Sequence, residues 1–490
     1  MRALFRVLFC AILLSKGATG AHAADAPQDL ETVLADLTRD RLFAQAKVGL
    51  KVVQVSTGEA VFDVNAGDGL HPASTMKVVT AAAALKHLGP SYTFETEVLV
   101  DGELGRDGVV QGDLMVRGGG DPHFVVERMW KLVRDLKLHG VTSVGGDVVF
   151  DGSFFDDEYR LPGWGKKKDI ARGPAYFASL SALSLNFNTV AVVVRPGSAV
   201  GEPAVVGLET PASGYVALTN EAKTGSAGSR RALGIQRDVQ DGSMSFKVTG
   251  SIAVDGSMRR YYRSVEDPTA HFMAAWMEML DDQGIAVSGV ARRGPVTETA
   301  VSLVRHTSPP LAAILMDMNK YSNNFMAEQV LKTLGAEVKG APGTTDKGLE
   351  VVADYLQEIG IAKEDFILIN GSGLTRQARL SPDVLTAVLV DMASDGAVGH
   401  EFHASLAIAG LDGTLLRRLT EDPGRLRGKT GTIDGVHCLA GYVDDKRGEQ
   451  YAFAFMVNDH GGSVSQVKRL HDRFARKMFE TGGDELSGAN

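Results

Sequence analysis

The chain has 490 residues, 44% of them hydrophobic, enough for more than one buried core. Its formal net charge is -9 and no basic tract interrupts the acidic balance, so nothing in the composition supports nucleic-acid binding. Cys10 and Cys438 are its cysteines, and Cys10 lies in a segment expected to be removed, which excludes a disulfide framework.

Residues 1–23 read as a secretory signal: Arg2 and Arg6, an apolar run from Val7 to Leu14, and the small-x-small site Ala21-His22-Ala23. The run is too short to span a bilayer. Cys10 sits inside it, followed by Ala11, Ile12 and Leu13, and does not resemble a lipoprotein acceptor. Cleavage after Ala23 removes Arg2, Arg6 and Lys16, which takes the net charge from -9 to -12. The signal predicts export, which by itself does not distinguish the expected periplasmic location from an outer cell surface.

Val48, Leu50, Val52 and Val55 predict a strand, Ser56-Thr57-Gly58 a turn, and Ala60 to Val64 a second strand. His71-Pro72-Ala73 leads into a helix that begins at Ser74 and stops at Gly89-Pro90. This helix is apolar nearly all round, which marks it as buried. From about Tyr92 to Arg305 the composition shifts to short strands and Gly turns, with helices expected at Val125 to Leu138 and Thr269 to Gln283. That span, 92–305, reads as an inserted β-rich region of two subdomains between the halves 24–91 and 306–490 of another domain. Leu311, Ile314, Leu315 and Met318 recur at helical spacing, and a second helix carrying Phe325 to Leu334 is expected to end before Gly335. Gly428 to Thr432 opens a β-rich stretch, with strands at Val436 to Val443 and Tyr451 to Val457 joined by the turn Asp444 to Gly448. Val464, Val467, Leu470, Phe474 and Met478 make a closing amphipathic helix. First and last segments are thus predicted to share one sheet with the Lys429 strand. Alternation puts Cys438 with Val436 and Ala440 on one strand face, as a small core residue.

Three short motifs lie on these elements. In Ser74-Thr75-Met76-Lys77 the hydroxyl and the amine are three residues apart and share a helix face. A Lys inside an apolar run is desolvated, which lowers its pKa and suits it to act as a base. Ser322-Asn323-Asn324 falls at a helix junction, where its side chains can face a cleft, and Lys429-Thr430-Gly431 starts a strand. A nucleotide loop is excluded, because the Gly required five places before Gly428 is Pro423. Gly118-Gly119-Gly120 is a tight turn, not a phosphate cradle, since no helix opening with Lys-Ser/Thr follows. The histidines have no metal-ligand spacing, so no metal or cofactor is expected.

S-x-x-K, S-x-N and K-T-G in this order form the set of penicillin-binding proteins and serine β-lactamases. Ser74 and Ser322 are 248 residues apart, and that long insert makes the chain resemble the low-molecular-mass class C penicillin-binding proteins, the D-alanyl-D-alanine carboxypeptidase/endopeptidase family. Gly118-Gly119-Gly120-Asp121-Pro122, Ser184-Leu185-Asn186-Phe187-Asn188, Asn370-Gly371-Ser372-Gly373-Leu374 and Asp412-Gly413-Thr414-Leu415 also look like that family's segments. Asn323 departs from it, since an Asp is often found there. The resemblance implies an α/β (α+β) fold of the serine β-lactamase kind, with an antiparallel sheet flanked by helices. It implies Ser74 as nucleophile, Lys77 as base, Ser322 and Lys429 as proton relay, and Asn324 as a positioning amide. Thr430 and Thr432, flanking Gly431, would bind the substrate carboxylate, and Arg376 would contact the substrate peptide. The implied partners are peptidoglycan stem peptides, with β-lactam antibiotics as covalent inhibitors; a homodimer is compatible with the sequence. Two other readings stay open. A serine β-lactamase is one, with Tyr321-Ser322-Asn323 as a Tyr-x-Asn motif out of register by one, although the long insert argues against it. The other is a cell-wall binding protein of the same fold without catalysis, against which stands the presence of every catalytic residue.

Overall fold

The computed structural model describes residues 45–480 apart from 162, 163, 165–171, 212, 213 and 241, together with 32, 34, 35, 39 and 40. The expected signal segment, with Cys10 and the cleavage site after Ala23, lies outside these residues.

The central sheet is antiparallel throughout, in the order Ala407–Ile408, Leu426–Ile433, Val436–Asp444, Gln450–Asn458, Lys47–Gln54, Ala60–Val64. The N-terminal strand is zipped to the last one, with Leu50 opposite Phe455 and Val52 opposite Phe453. Its inner strands are buried on both faces, and their side chains sort by size with the two-residue period of a strand. Cys438, Ala440, Ala452 and Ala454 face the helix Met76–Leu88 and its neighbours. Phe453, Phe455 and Val457 face the closing helix Val464–Glu480, where the Phe453 and Phe474 rings lie 5.0 Å apart. Ala440, Ala452 and Ala454 let the helical layer approach on one side, which Tyr442 and Met456 also face, and Phe453 and Phe455 fill the other. Each fully buried Phe contributes about 1.5–3 kcal/mol of hydrophobic stabilisation. Cys438 is a buried thiol on the expected face, and burial pushes its pKa up to about 12.

The helix Met76–Leu88 is buried from Met76 to Leu85. It packs against the helices Leu311–Lys320, Asn324–Lys339, Thr345–Glu358 and Pro382–Ser394. One element differs from expectation: the second of these passes through Gly335 and ends at Gly340, with φ 89°. Gly335 is there for packing, since a Cβ on it would lie 2.9 Å from the backbone of Gly348 and Thr344.

The intervening chain builds two sheet systems with separate interiors. In the first, Glu95–Leu104 pairs with Val109–Gly118 and with Val301–Thr307, under the helices Val126–Leu138 and Pro268–Asp282. Pairing thus continues two residues beyond Arg305, to Thr307. The second has Ser243–Ala253 and Thr189–Arg195 at the centre of its two sheets. Both are tied to the helical layer through the helix Asn324–Lys339. Lys332 pairs with Asp156, and Gln329 Nε2 donates to Ser181 O at 2.9 Å. The Ser181 loop is braced in turn by Asn188, whose Nδ2 donates to Ser179 O at 2.7 Å and Ser184 Oγ at 2.9 Å. Among the described residues no helix is long and apolar enough to cross a membrane.

Candidate active site

Ser74 stands in the 3-10 turn Ala73–Thr75 that leads into the helix Met76–Leu88. Ala73 has φ 46° and Ser322 has φ 57°, so a left-handed non-glycine residue precedes one motif serine and coincides with the other. Such backbone costs roughly 1–3 kcal/mol and persists only where its surroundings enforce it. Here the surroundings are backbone in close approach. A Cβ on Gly373 would lie 1.8 Å from Ala73 O, and one on Gly431 would lie 2.7 Å from Pro72 O. Both glycines therefore let a strand and a loop close on the Ser74 turn, which explains the Gly of Lys429-Thr430-Gly431 physically.

Lys77 is fully buried, and its Nζ reaches Ser74 Oγ at 3.1 Å, Asn324 Oδ1 at 2.7 Å and Ser372 O at 2.9 Å. Burial lowers its pKa to about 7, against the opposing pull of Glu328. In the neutral amine, Asn324 Oδ1 and Ser372 O, which can only accept, take both N–H groups. The lone pair is then left for the Ser74 hydroxyl proton. Asn324 is held in this orientation by donating Nδ2 to Tyr176 O at 3.2 Å, and Asn323 caps the same helix by accepting from Met326 N at 3.1 Å. Asn and Asp cap equally well, so the departure at Asn323 leaves the helix start intact.

Lys429 Nζ donates to Ser322 Oγ and to Thr430 O, each at 2.9 Å. It too is completely buried, and burial together with the Lys77 charge holds its pKa well below the usual lysine value. Thr430 Oγ1 donates to Thr414 Oγ1 at 3.0 Å, which brings the Asp412-Gly413-Thr414 turn to the strand. Lys320 Nζ pins that turn through Asp412 at 2.5 Å. Thr432 is exposed further along the strand. Arg376 is exposed and donates to Asp434 O beyond the strand end, so it stands at the rim and not among the buried groups. Ser74, Lys77, Ser322, Asn324 and Lys429 thus form one cluster, with Thr430, Gly431 and Thr432 along its edge.

Sequence reasoning passed over Glu328 and Tyr176. Glu328 is fully buried beneath Lys77 and accepts from the backbone N–H of Gly371 and Ser372, both at 2.8 Å. Its position four residues after Asn324, within an apolar helix, is the signal that could have marked it. Tyr176 carries no such signal, since its backbone carbonyl makes the contact. Among the described residues no cluster of His, Cys, Asp and Glu could hold a metal.

A sequence model of the D-Ala-D-Ala carboxypeptidase 3 (S13) family matches residues 29–477. The D-alanyl-D-alanine carboxypeptidase of Actinomadura sp. strain R39 is 36% identical over 484 residues, spanning 96% of this chain and 87% of that protein. The crystal structure of penicillin binding protein 4 (dacB) from Haemophilus influenzae matches with a TM-score of 0.79 at 25% identity, over 91% of this chain and 99% of that one. A structure of the same protein complexed with a novel β-lactam matches at 0.74 with 24% identity, over the same 91% and 99%.

Proposed function

Given that the chain belongs to the D-Ala-D-Ala carboxypeptidase (S13) family, we propose that it releases the terminal D-alanine of peptidoglycan stem peptides through an acyl-enzyme on Ser74. The same site would open D-alanyl cross-links, in which the leaving amine belongs to a neighbouring stem peptide. The observation that carries this reading is the set of three contacts to Lys77, which leaves its lone pair facing Ser74 Oγ.

In the reaction, the Ser74 proton passes to Lys77 Nζ as Oγ attacks the carbonyl carbon of the penultimate D-alanine. Backbone N–H groups of Ser74 and Thr432 hold the oxyanion, each donor being worth about 3 kcal/mol. Ser322, hydrogen-bonded to Lys429, hands a proton to the departing amine, and water then releases the acyl group. Thr430 and Thr432 bind the substrate carboxylate, Gly431 between them lets the strand close on the Ser74 turn, and Arg376 at the rim meets the stem peptide. Penicillin presents its β-lactam carbonyl as the scissile bond, and after ring opening its amine stays tethered and blocks the water. A cell-wall substrate requires export, consistent with the expected removal of residues 1–23.

Labelling with a fluorescent penicillin followed by peptide mapping tests this reading. A lasting adduct on the peptide carrying Ser74, lost in Ser74→Ala, with D-alanine released from a D-Ala-D-Ala peptide, is the expected result. Rapid turnover of the drug would make the protein a β-lactamase, and a lasting adduct on another serine would overturn the assignment of Ser74.

A further inference from the structure

Glu328 is a buried charge that the reaction described above does not use. One of its oxygens accepts from Gly371 N and the other from Ser372 N, and the carbonyl of the same Ser372 accepts from Lys77 Nζ at 2.9 Å. Thr80 Oγ1, one turn along the Ser74 helix, donates to Gly371 O at 2.8 Å, so the peptide between Glu328 and Lys77 is gripped from both sides. No direct salt bridge joins Glu328 to a cation among the described residues; its charge faces Lys77 across this peptide. A neutral amide could hold one of the two N–H groups without the cost of burying a carboxylate. The carboxylate holds both, and it adds a negative charge opposite a lysine that must become an ammonium in a dry site.

We propose that Glu328 is a positioning residue for acyl transfer: it clamps the Gly371–Ser372 peptide that aims Lys77 at Ser74, and its charge stabilises the ammonium formed when Lys77 takes the Ser74 proton. This rests on the reading of Ser74 as nucleophile and Lys77 as base. No atom of Glu328 needs to reach the substrate. The proton moves from Ser74 Oγ to Lys77 Nζ, and the Glu328 carboxylate gains none.

Burial is the largest influence and holds the Glu328 pKa above the usual carboxylate value, against the Ser372 hydroxyl, the N–H groups of Gly371 and Ser372 and the Lys77 charge, which pull it down. Two donors, one on each oxygen, favour the ionised form. Of the other charged and titratable groups on the surrounding elements, Lys429 also feels the Lys77 charge, and it, Lys332, Lys320 and Tyr355 have partners of their own. Lys429 on its strand contacts Ser322, Lys332 on the Glu328 helix pairs with Asp156, and Lys320 pairs with Asp412. Tyr355 donates to Asp391, which with Asp395 pairs Lys86 at the far end of the Ser74 helix. His403 lies against the Tyr442 ring, and Cys438 stays a thiol.

The test is the pH profile of the second-order acylation rate with fluorescent penicillin, measured on the whole protein and on Glu328→Gln. Loss of the negative charge favours neutral Lys77, so the acid limb should move to lower pH, and loss of the clamp should lower the plateau by about tenfold or more. An acid limb that stays at the parent's pH overturns the proposal whatever the plateau does, because a merely structural residue would leave the limb in place. Should Glu328→Gln fail to fold, Glu328→Asp keeps the charge but withdraws it by one methylene. Its plateau should fall while its limb stays near the parent's, and an unchanged plateau overturns the clamp. A parent protein that forms no adduct on Ser74 refutes the underlying reading instead, so the two failures are distinct.

Discussion

Lys429 Nζ and Ser322 Oγ are 2.9 Å apart, although 107 residues of chain separate them. The lysine comes from a central strand and the serine from a left-handed turn between two helices, so the contact joins the two layers of the domain at the cleft. If the pair passes a proton to the leaving amine, Ser322→Ala should lower D-alanine release by about 10²–10⁴-fold. Stability should fall by about 1–3 kcal/mol, because the buried Lys429 amine keeps Thr430 O but loses its other acceptor. Peptidase assays beside a thermal melt check both halves; an unchanged rate would remove Ser322 from the relay.

Lys77→Ala should lower penicillin acylation by about 10²–10⁴-fold, the usual cost of losing a general base. Asn324 and Ser372 lose an acceptor's partner in the same variant, so some destabilisation accompanies it. Stopped-flow acylation separates the effects, since the folded fraction can be measured independently. A variant acylated at the parent rate would show that Lys77 is not the base.

The pH dependence follows from the burial of Lys77, which brings its pKa to about 7. Below that value the amine is protonated and cannot accept the Ser74 proton, so acylation should fall about tenfold per pH unit. Above it the amine is free and the rate should level off. An acid limb lying near pH 4, in the range of an ordinary carboxylate, would assign the controlling proton to another group.

Gly373→Ala should be costly in both stability and rate. Gly373 has φ 75°, and the added Cβ would lie 1.8 Å from Ala73 O, inside the backbone that sets the Ser74 turn. The left-handed backbone alone costs an alanine about 1–2 kcal/mol, and the displaced turn adds to it. Denaturant unfolding should show a loss above about 2 kcal/mol, with acylation reduced even in the folded fraction. Wild-type behaviour in both assays would mean the loop moves freely away from Ser74.

The residues legible in the sequence were those whose partners are near in sequence or whose pattern is periodic. Ser74 and Lys77 share a helix face, and Cys438 shares a strand face with Val436 and Ala440, so spacing alone places them. Asn323 stood out in the sequence only as a departure from the family's usual Asp, and its role as a cap is seen in the structure, where it accepts from Met326 N. Glu328 was missed because its partners, Gly371 and Ser372, lie 43 and 44 residues further along and present only backbone N–H groups. Tyr176 was missed for the same reason, since any residue could offer its carbonyl to Asn324. Gly335 was misread as a helix end because glycine gives the same local signal whether it stops a helix or admits a neighbour. Its true role depends on the backbone of Gly348, which belongs to a different helix.

The pairing of Leu50 with Phe455 has a consequence for how activity arises as the chain is made. Ser74 emerges early in synthesis, but the strand that closes on its turn is Leu426–Ile433, near the other end of the chain. A nascent or clipped polypeptide ending before those strands holds Ser74 without Gly431 against its turn and without Lys429 beside Ser322. It can neither fix the serine nor assist the leaving amine. On the proposed reading, a chain that lacks these strands should neither release D-alanine nor be labelled by penicillin.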